Sequence, residues 1–472
     1  VAVKKVANIK KPFEELETMK QIKEATNVNI EWEETPQETW PEKKNLIIAS
    51  GDWPDVFYGN YILEDEEVVK LAADGIFIPL EDLIEKYAPN VQKVFEEYPD
   101  FKDYITAPDG HIYSLPTINA YQSPAPSAQF INKKWLDELG LEIPTTTDEF
   151  YEVLKAFKAN AKDGQTPFSF MYGNNTYGIG GMFGSFGLAD DNSKITVVDD
   201  KVVFTAMQPE YKEAVKYFNK LFNEGLIDLE SFSQTREVYN AKVSKGDVGV
   251  VNGWSLSSWF GENYQDSGYV FMPPLKGPNG DQSYFYRSSA TLSGKGSFLI
   301  TSKCENPEVA MRLADYMCDP DVSFQASQGM IGGTYQKNAD GKLEALPIPE
   351  GMNQAEFRHQ DAAGANSFHM ITAKYLENVI PSTSIAEKQS YEKVYEKFAT
   401  NSPLPPFSMS PEDSTRISEI RADITSFVDE NTSKWLLKGG IDEEWDSYVE
   451  KLKQMNVEEL IGIYQARYDD FK

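Results

Sequence analysis

Helical and strand periodicities alternate along the first quarter of this chain, and that alternation restricts it to an α/β fold. In "KPFEELETMKQIKEAT", Pro12 stands at a helix start, and Phe13, Leu16, Met19 and Ile22 recur at three-residue steps along one helical face. "NVNIEW" then alternates like a strand, and "KKNLIIAS" leads into a Gly-Asp turn. "EEVVKLAADGIFIPLEDLIEKYAP" reads as helix, strand, helix. Elements in that order bury their apolar faces when helices cover a sheet. The proline-broken "TINAYQSPAPSAQ" looks like a crossover, and a second α/β stretch follows it. There "IPTTTDEF" is a helix start, and "EYKEAVKYFNKLFNEGLI" is an amphipathic helix closed by Gly225. "KGDVGVVNGWS" and "YVFMPPLKGPNGDQ" read as strands, and "KGSFLITSKCENPEVAMRLADYMCDP" returns to strand then helix. Two amphipathic segments close the chain, one carrying Trp445, Tyr448, Val449, Leu452 and Met455, the other Leu460, Ile463, Tyr464, Tyr468 and Phe471. The expected lobes are 1–122 with 289–355, and 123–288 with 356–472.

At 472 residues the chain has room for two or three domains. A hydrophobic share of 41% supports folded cores, and no stretch approaches the roughly 20 apolar residues of a membrane span. The net charge of −29 repels phosphate backbones, so nucleic acid is not an expected partner. Cys304 and Cys318 bracket one helix, which separates them by roughly 15–20 Å at ~1.5 Å per residue. A disulfide needs less than about 7 Å, so they are expected unpaired.

Tests for catalysis find nothing positive. "GIGGMFGSFG" puts Phe183 where a dinucleotide fingerprint wants glycine, and "SATLSGKGS" puts Ser289 where a P-loop wants its first glycine. The first of these is expected to be a flexible loop. His111, His359 and His369 lack metal-ligand spacing, and no nucleophile elbow occurs. Carboxylates are plentiful, but none sits in a motif that singles it out. No enzyme, cofactor or metal is expected.

"IASGDWPDVFYGN" reads as a strand end, a turn and displayed aromatics, as if something flat were held there. It is followed in order by "DGIFIPLEDLI", "APDGHIYSLP", "FINKKWLDELGLEIPTTTDEF", "FNEGLIDLESF", "KGDVGVVNGW" and "ITSKCENPEVAMRLADYM". With the closing "WLLKGGIDEEWDSYVEKLKQMNVEELIGIYQARYDDF", the chain resembles the extracellular solute-binding proteins of bacterial ABC importers. Within them it is similar to the carbohydrate-binding, maltose-binding-protein-like group and to its longer Firmicute lipoprotein and alginate-binding members. The resemblance implies a two-lobed periplasmic-binding-protein-like fold with a ligand cleft and hinge between the lobes. It implies a monomer that captures an oligosaccharide, expected to be neutral, and delivers it to permease subunits. It also implies extracellular display through a lipid anchor on a leader that precedes Val1. In many longer relatives the stretch matching "KANAKDGQTPFSF" carries a calcium loop; only Asp163 remains of it here, so calcium is not assigned.

A sugar offers an apolar C–H face for aromatic stacking and a rim of hydroxyls for polar side chains. Trp53, Asp52 and Tyr58 at the quoted turn are candidates for such contacts. Trp254 follows a strand where many family members keep a stacking tryptophan, with Trp259 close behind. Tyr121 and Gln122 lie at the crossover, Tyr172, Asn174 and Asn175 in "MYGNNTYG", and Tyr286 and Arg287 in "YFYRSS". Arg358 completes the set. Any of the tryptophans could instead be core, and either arginine an ion-pair partner. The alternative readings are a receptor for a peptide or other polar solute, and a glycan-active enzyme.

Overall fold

A computed structural model describes residues 1–6, 9–121, 123, 125, 127–284, 292–349, 352, 354–399 and 403–472, with residues 293, 354, 355 and 365 described by backbone only. The chain divides into two compact units. The first is Val1–Gln122, Ser289–Ser382 and Pro406–Thr415; the second is Ser123–Ser288, Thr383–Pro405 and Arg416–Lys472. The strands, in chain order, are β1 (Ala2–Lys5), β2 (Glu33–Pro36), β3 (Val56–Leu63), β4 (Leu115–Asn119), β5 (Ala128–Asn132), β6 (Thr166–Ser169) and β7 (Ile195–Val198). They continue with β8 (Lys201–Phe204), β9 (Val248–Gly253), β10 (Tyr269–Met272), β11 (Leu292–Ile300), β12 (Tyr335–Lys337), β13 (Leu343–Ala345) and β14 (Met370–Ile371).

The first unit is built on a sheet of order β14-β4-β11-β3-β1-β2, parallel except for β11, which runs against β3 and β4. Neighbouring residues on a strand face opposite ways, and both faces here are covered. Tyr58, Phe298 and Ile300 pack into one apolar cluster with Phe13, Leu115 and Met311, while Phe57 and Leu299 pack into another with Trp40 and Phe77. The segment from Pro406 is tied to this unit by Lys295 of β11. Its ammonium donates to Pro406 O at 2.8 Å and Ser408 Oγ at 3.3 Å, and pairs with Asp65.

Four sequence expectations need correction here. The strand read in "GIFIPL" is only an isolated bridge from Phe77 to Thr301. "NLIIAS" ends a helix, Trp40–Ser50, rather than a strand, because Gly51 takes the left-handed conformation (φ 72°) that stops helices. "NVNIEW" is not a strand; pairing with β1 begins at Glu33, just after it. The boundary at 355 is also moved. β14 pairs in parallel with β4, so 356–382 belong to the first unit.

The second unit carries a sheet of order β10-β5-β9-β6, in which β6 runs parallel to β9 and β5 runs against both β9 and β10. Helix Thr147–Asn160 covers it, started by a capping box in which Thr146 and Glu149 exchange side-chain and backbone hydrogen bonds. The run "GIGGMFGSFG" is a packed 3-10 turn, Gly180–Phe186, not a flexible loop. A Cβ on Gly184 would lie 2.0 Å from Ser283 O, and one on Gly180 2.3 Å from Asp190 O. These glycines let backbone pack on backbone, which explains a glycine run without a phosphate. Tyr448 and Leu452 of helix Ile441–Gln454 are buried, as is Leu460 of helix Val457–Phe471. Cys304 and Cys318 are both free.

Candidate functional site

In open, mostly parallel sheets, ligands meet the carboxyl ends of the strands. Trp53 and Asp52 precede β3 and therefore sit at its amino end. The Trp53 indole N–H donates to Ile48 O at 3.1 Å, its ring packs on the Phe57 cluster, and Asp52 is exposed. Their geometry is that of a helix-to-strand turn held to its own core. Tyr58 is 1% exposed, with its ring edge-on to Phe13 and Trp32. A side chain sealed inside the sheet's cover cannot touch a ligand, so Tyr58 is a core residue and not a ligand contact. Tyr61, further along β3, is a candidate outside the set read from the sequence. Pairing of β3 with β11 slips between Tyr58 and Leu63, and Tyr61 in that bulge is 47% exposed at φ 51°. A bulged strand with a non-glycine residue at positive φ is a common device for aiming a side chain. The signal was available, since "YGNY" breaks the alternation of the strand.

Tyr121 follows the carboxyl end of β4, in a turn where its N–H donates to Asn119 Oδ1 at 3.0 Å. Its ring lies against the small cluster of Phe324, Tyr335 and Ile371. Arg358, in helix Gln354–Arg358, is close enough to Tyr335 for its charge to act on the phenol. The Arg358 guanidinium forms no ion pair among the described residues, and its buried Nε has no hydrogen-bond partner. Burial pulls its pKa below the ordinary arginine value. The residue as a whole is half-buried, and a cation with an unsatisfied buried donor is costly. Gln122, Tyr286 and Arg287 lie outside the described residues.

In the second unit, the register of β6 with β9 pairs Ser169 with Val251, and Tyr172 and Trp254 each follow three residues later in the chain. Their surroundings differ. The Tyr172 hydroxyl donates to Asp429 O at 3.2 Å, and its ring packs on Phe232. Asn174 Oδ1 accepts from the N–H groups of Thr176 and Tyr177, and Asn175 Oδ1 from that of Asn192. With the buried Asp190–Lys194 ion pair, these residues line a polar pocket that Trp254 does not enter. The Asn174 oxygen holds its own turn, and the Asn175 oxygen ties that turn to the segment at Asn192.

Trp254 is half-buried, immediately after the carboxyl end of β9. It belongs to no aromatic pair among the described residues, and no acceptor among them meets its indole N–H. The Lys388 ammonium stands 4.5 Å from its ring centroid. Trp259 differs. It lies over Gly253, where a Cβ would be 2.1 Å from its ring, and packs with Phe130, Tyr177 and Tyr239. Its N–H donates to Asn240 Oδ1 at 2.8 Å. Trp259 is the floor beneath the strand end, while Trp254 has only the Lys388 ammonium over its ring among the described residues. Among the described residues no cluster of His, Cys, Asp and Glu could hold a metal ion, and no helix is long and apolar enough to cross a membrane.

Comparison with known proteins gives the same direction throughout. The sequence profile of the bacterial extracellular solute-binding proteins matches residues 4–323. The fructooligosaccharide ABC transporter substrate-binding protein FusA of Streptococcus pneumoniae is 33% identical over 98% of this chain and 88% of its own. The structure of FusA in complex with kestose superposes with a TM-score of 0.87 at 30% identity, covering 100% of this chain and 99% of that one. An extracellular solute-binding protein from Bifidobacterium longum subsp. infantis superposes with a TM-score of 0.85 at 28% identity, over 100% and 97% of the two chains. The polygalacturonan/rhamnogalacturonan-binding protein YtcQ of Bacillus subtilis is 24% identical over 96% of this chain and 88% of its own.

Proposed function

The chain belongs to the family of bacterial extracellular solute-binding proteins, and from that premise we propose that it captures a fructose-built oligosaccharide and hands it to the permease of an ABC importer. The observation that carries the sugar class is the 33% identity to FusA along almost the entire chain. The chemistry of the candidate residues agrees with it. Trp254 offers a ring face and an N–H donor that meets no acceptor among the described residues, which suit an apolar C–H patch and an adjacent hydroxyl. Arg358 offers several N–H donors, and neutral hydroxyls and ring oxygens can accept from them. Tyr121 and Tyr61 are the further candidates in the first unit. Capture needs no bond to be made or broken, so kestose is expected to be recovered intact after long incubation with the purified protein. Monomeric state and lipid anchoring are parts of the same proposal, supported by the family alone.

One observation favours a second reading. Arg358 has no carboxylate partner among the described residues, and a uronate in the ligand would supply one, as would suit a ligand like that of YtcQ. Calorimetry with kestose, maltotriose and a short galacturonan decides between them. Kestose is expected to bind in the micromolar range or tighter, about −8 kcal/mol or better, with no heat from the other two. Binding of galacturonan with kestose silent would replace the first reading by the second.

A further inference from the structure

Helix Thr383–Tyr395 buries Glu387, Lys388, Tyr391 and Tyr395, so two ionisable side chains occupy places where a helix facing a core ordinarily carries leucine. Glu387 is 3% exposed. One of its carboxylate oxygens accepts from Leu256 N at 2.7 Å and the other from Ser257 N at 2.9 Å. The Tyr391 hydroxyl also donates to it. Those two N–H groups follow Trp254 by two and three residues, so the carboxylate grips the chain as it leaves the indole. Lys388, the next residue on the helix, sets its ammonium over the Trp254 ring. Ser384, one turn earlier, approaches Ser255 Oγ at 3.4 Å. On the other side of Trp254, Gly253 is pinned under Trp259. The ring is thus held from before, from after and across one face.

We propose that Glu387 is a positioning residue for ligand capture, and that with Lys388 it forms a mount holding the Trp254 indole at a set angle with its other face free. A bare tryptophan on a loop would have to be ordered at the moment of binding, and the mount removes that entropic cost beforehand. The short helix Ser257–Phe260 would start with two unsatisfied N–H groups without Glu387, and the loop would be free to turn the ring. This inference rests on the reading of Trp254 as a ligand platform.

The test is a double-mutant cycle of Glu387→Gln and Trp254→Phe, read by kestose affinity and by indole emission of the ligand-free protein. Glu387→Gln is expected to weaken kestose binding by roughly tenfold, the effect of one buried charge-assisted hydrogen bond. In the Trp254→Phe background the same change is expected to have almost no further effect, because the group it positions has gone. Additive losses would overturn the proposal, since they mean that Glu387 acts on folding or on ligand independently of Trp254. The emission measurement stands without any ligand. Glu387→Gln and Lys388→Met should each alter the quenching by iodide of the emission that Trp254→Phe removes. If neither does, the mount does not exist. If both do while kestose fails to bind wild type, the mount stands and the choice of sugar is wrong. Should Glu387→Gln not fold, Lys388→Met carries both readouts.

Discussion

Replacing Trp254 by alanine separates the two roles open to a half-buried tryptophan. As a platform it should cost at least ~2 kcal/mol of kestose binding, a loss of roughly thirtyfold, while ligand-free melting hardly moves. A core tryptophan would behave in the opposite way, with about 3–5 kcal/mol of stability lost through a cavity. Trp259→Ala is the internal control, since that ring packs on Phe130, Tyr177 and Tyr239 and should show the core pattern. Arg358 makes a sharper case because its two effects have opposite signs. Arg358→Met removes a half-buried charge that forms no ion pair among the described residues, so ligand-free stability should rise by about 1 kcal/mol or less while kestose affinity falls. Melting and calorimetry on the same variant check both. A fall in stability would mean that the guanidinium holds the first unit together.

At the scale of elements, the glycine-rich turn at 178–187 shows why composition misleads. Read as a string it suggests mobility, yet its backbone is pressed against Asn174, Asp190 and Ser283. Gly184→Ala should therefore destabilise the second unit by about 1–3 kcal/mol through overpacking against backbone that cannot yield. Gly246→Ala is a useful contrast. It has open space around it, and its cost comes only from the positive φ of 76° at the end of helix Arg236–Lys245. Thermal unfolding of the two variants should rank Gly184→Ala as the worse. The strand order of the first unit was equally hidden. β14 has two residues and no periodicity to read, and it is a strand only because β4 lies beside it.

At the scale of the whole molecule, stability should depend on pH through His369. This side chain is fully buried, and burial lowers its pKa to about 4, while Nδ1 stays near Ser367 O at 3.0 Å. A base with a lowered folded pKa binds its proton more readily when unfolded. Its contribution is therefore complete above the unfolded value of about 6.5 and is lost as pH falls toward about 4, amounting to about 3 kcal/mol. Melting temperatures between pH 7.5 and 4.5 should fall for the wild type and fall less steeply for His369→Gln. Parallel curves would show that His369 takes no part.

Periodicity is a local property, so the sequence by itself determined what local spacing can encode. The amphipathic helices, the strand of "KGDVGVVNGW", the free cysteines and the α/β class all follow from residues within one or two turns of each other. So does the place of Trp254 at the end of a strand. Only the tertiary structure decided which aromatic residues remain available. Trp53, Tyr58 and Trp259 carry the same chemistry as Trp254, but Trp53 is tied to its own turn, Tyr58 is sealed in the core and Trp259 packs on Phe130, Tyr177 and Tyr239. Trp254 is set apart by the contacts of Glu387 and Lys388 around it, and Glu387 meets a backbone 131 residues away. In the sequence, "AEKQSYEKVY" looks like an ordinary charged helix surface. Burial and hydrogen-bond pairing belong to the folded chain, because they depend on which distant segment arrives beside a side chain, and no local pattern records that.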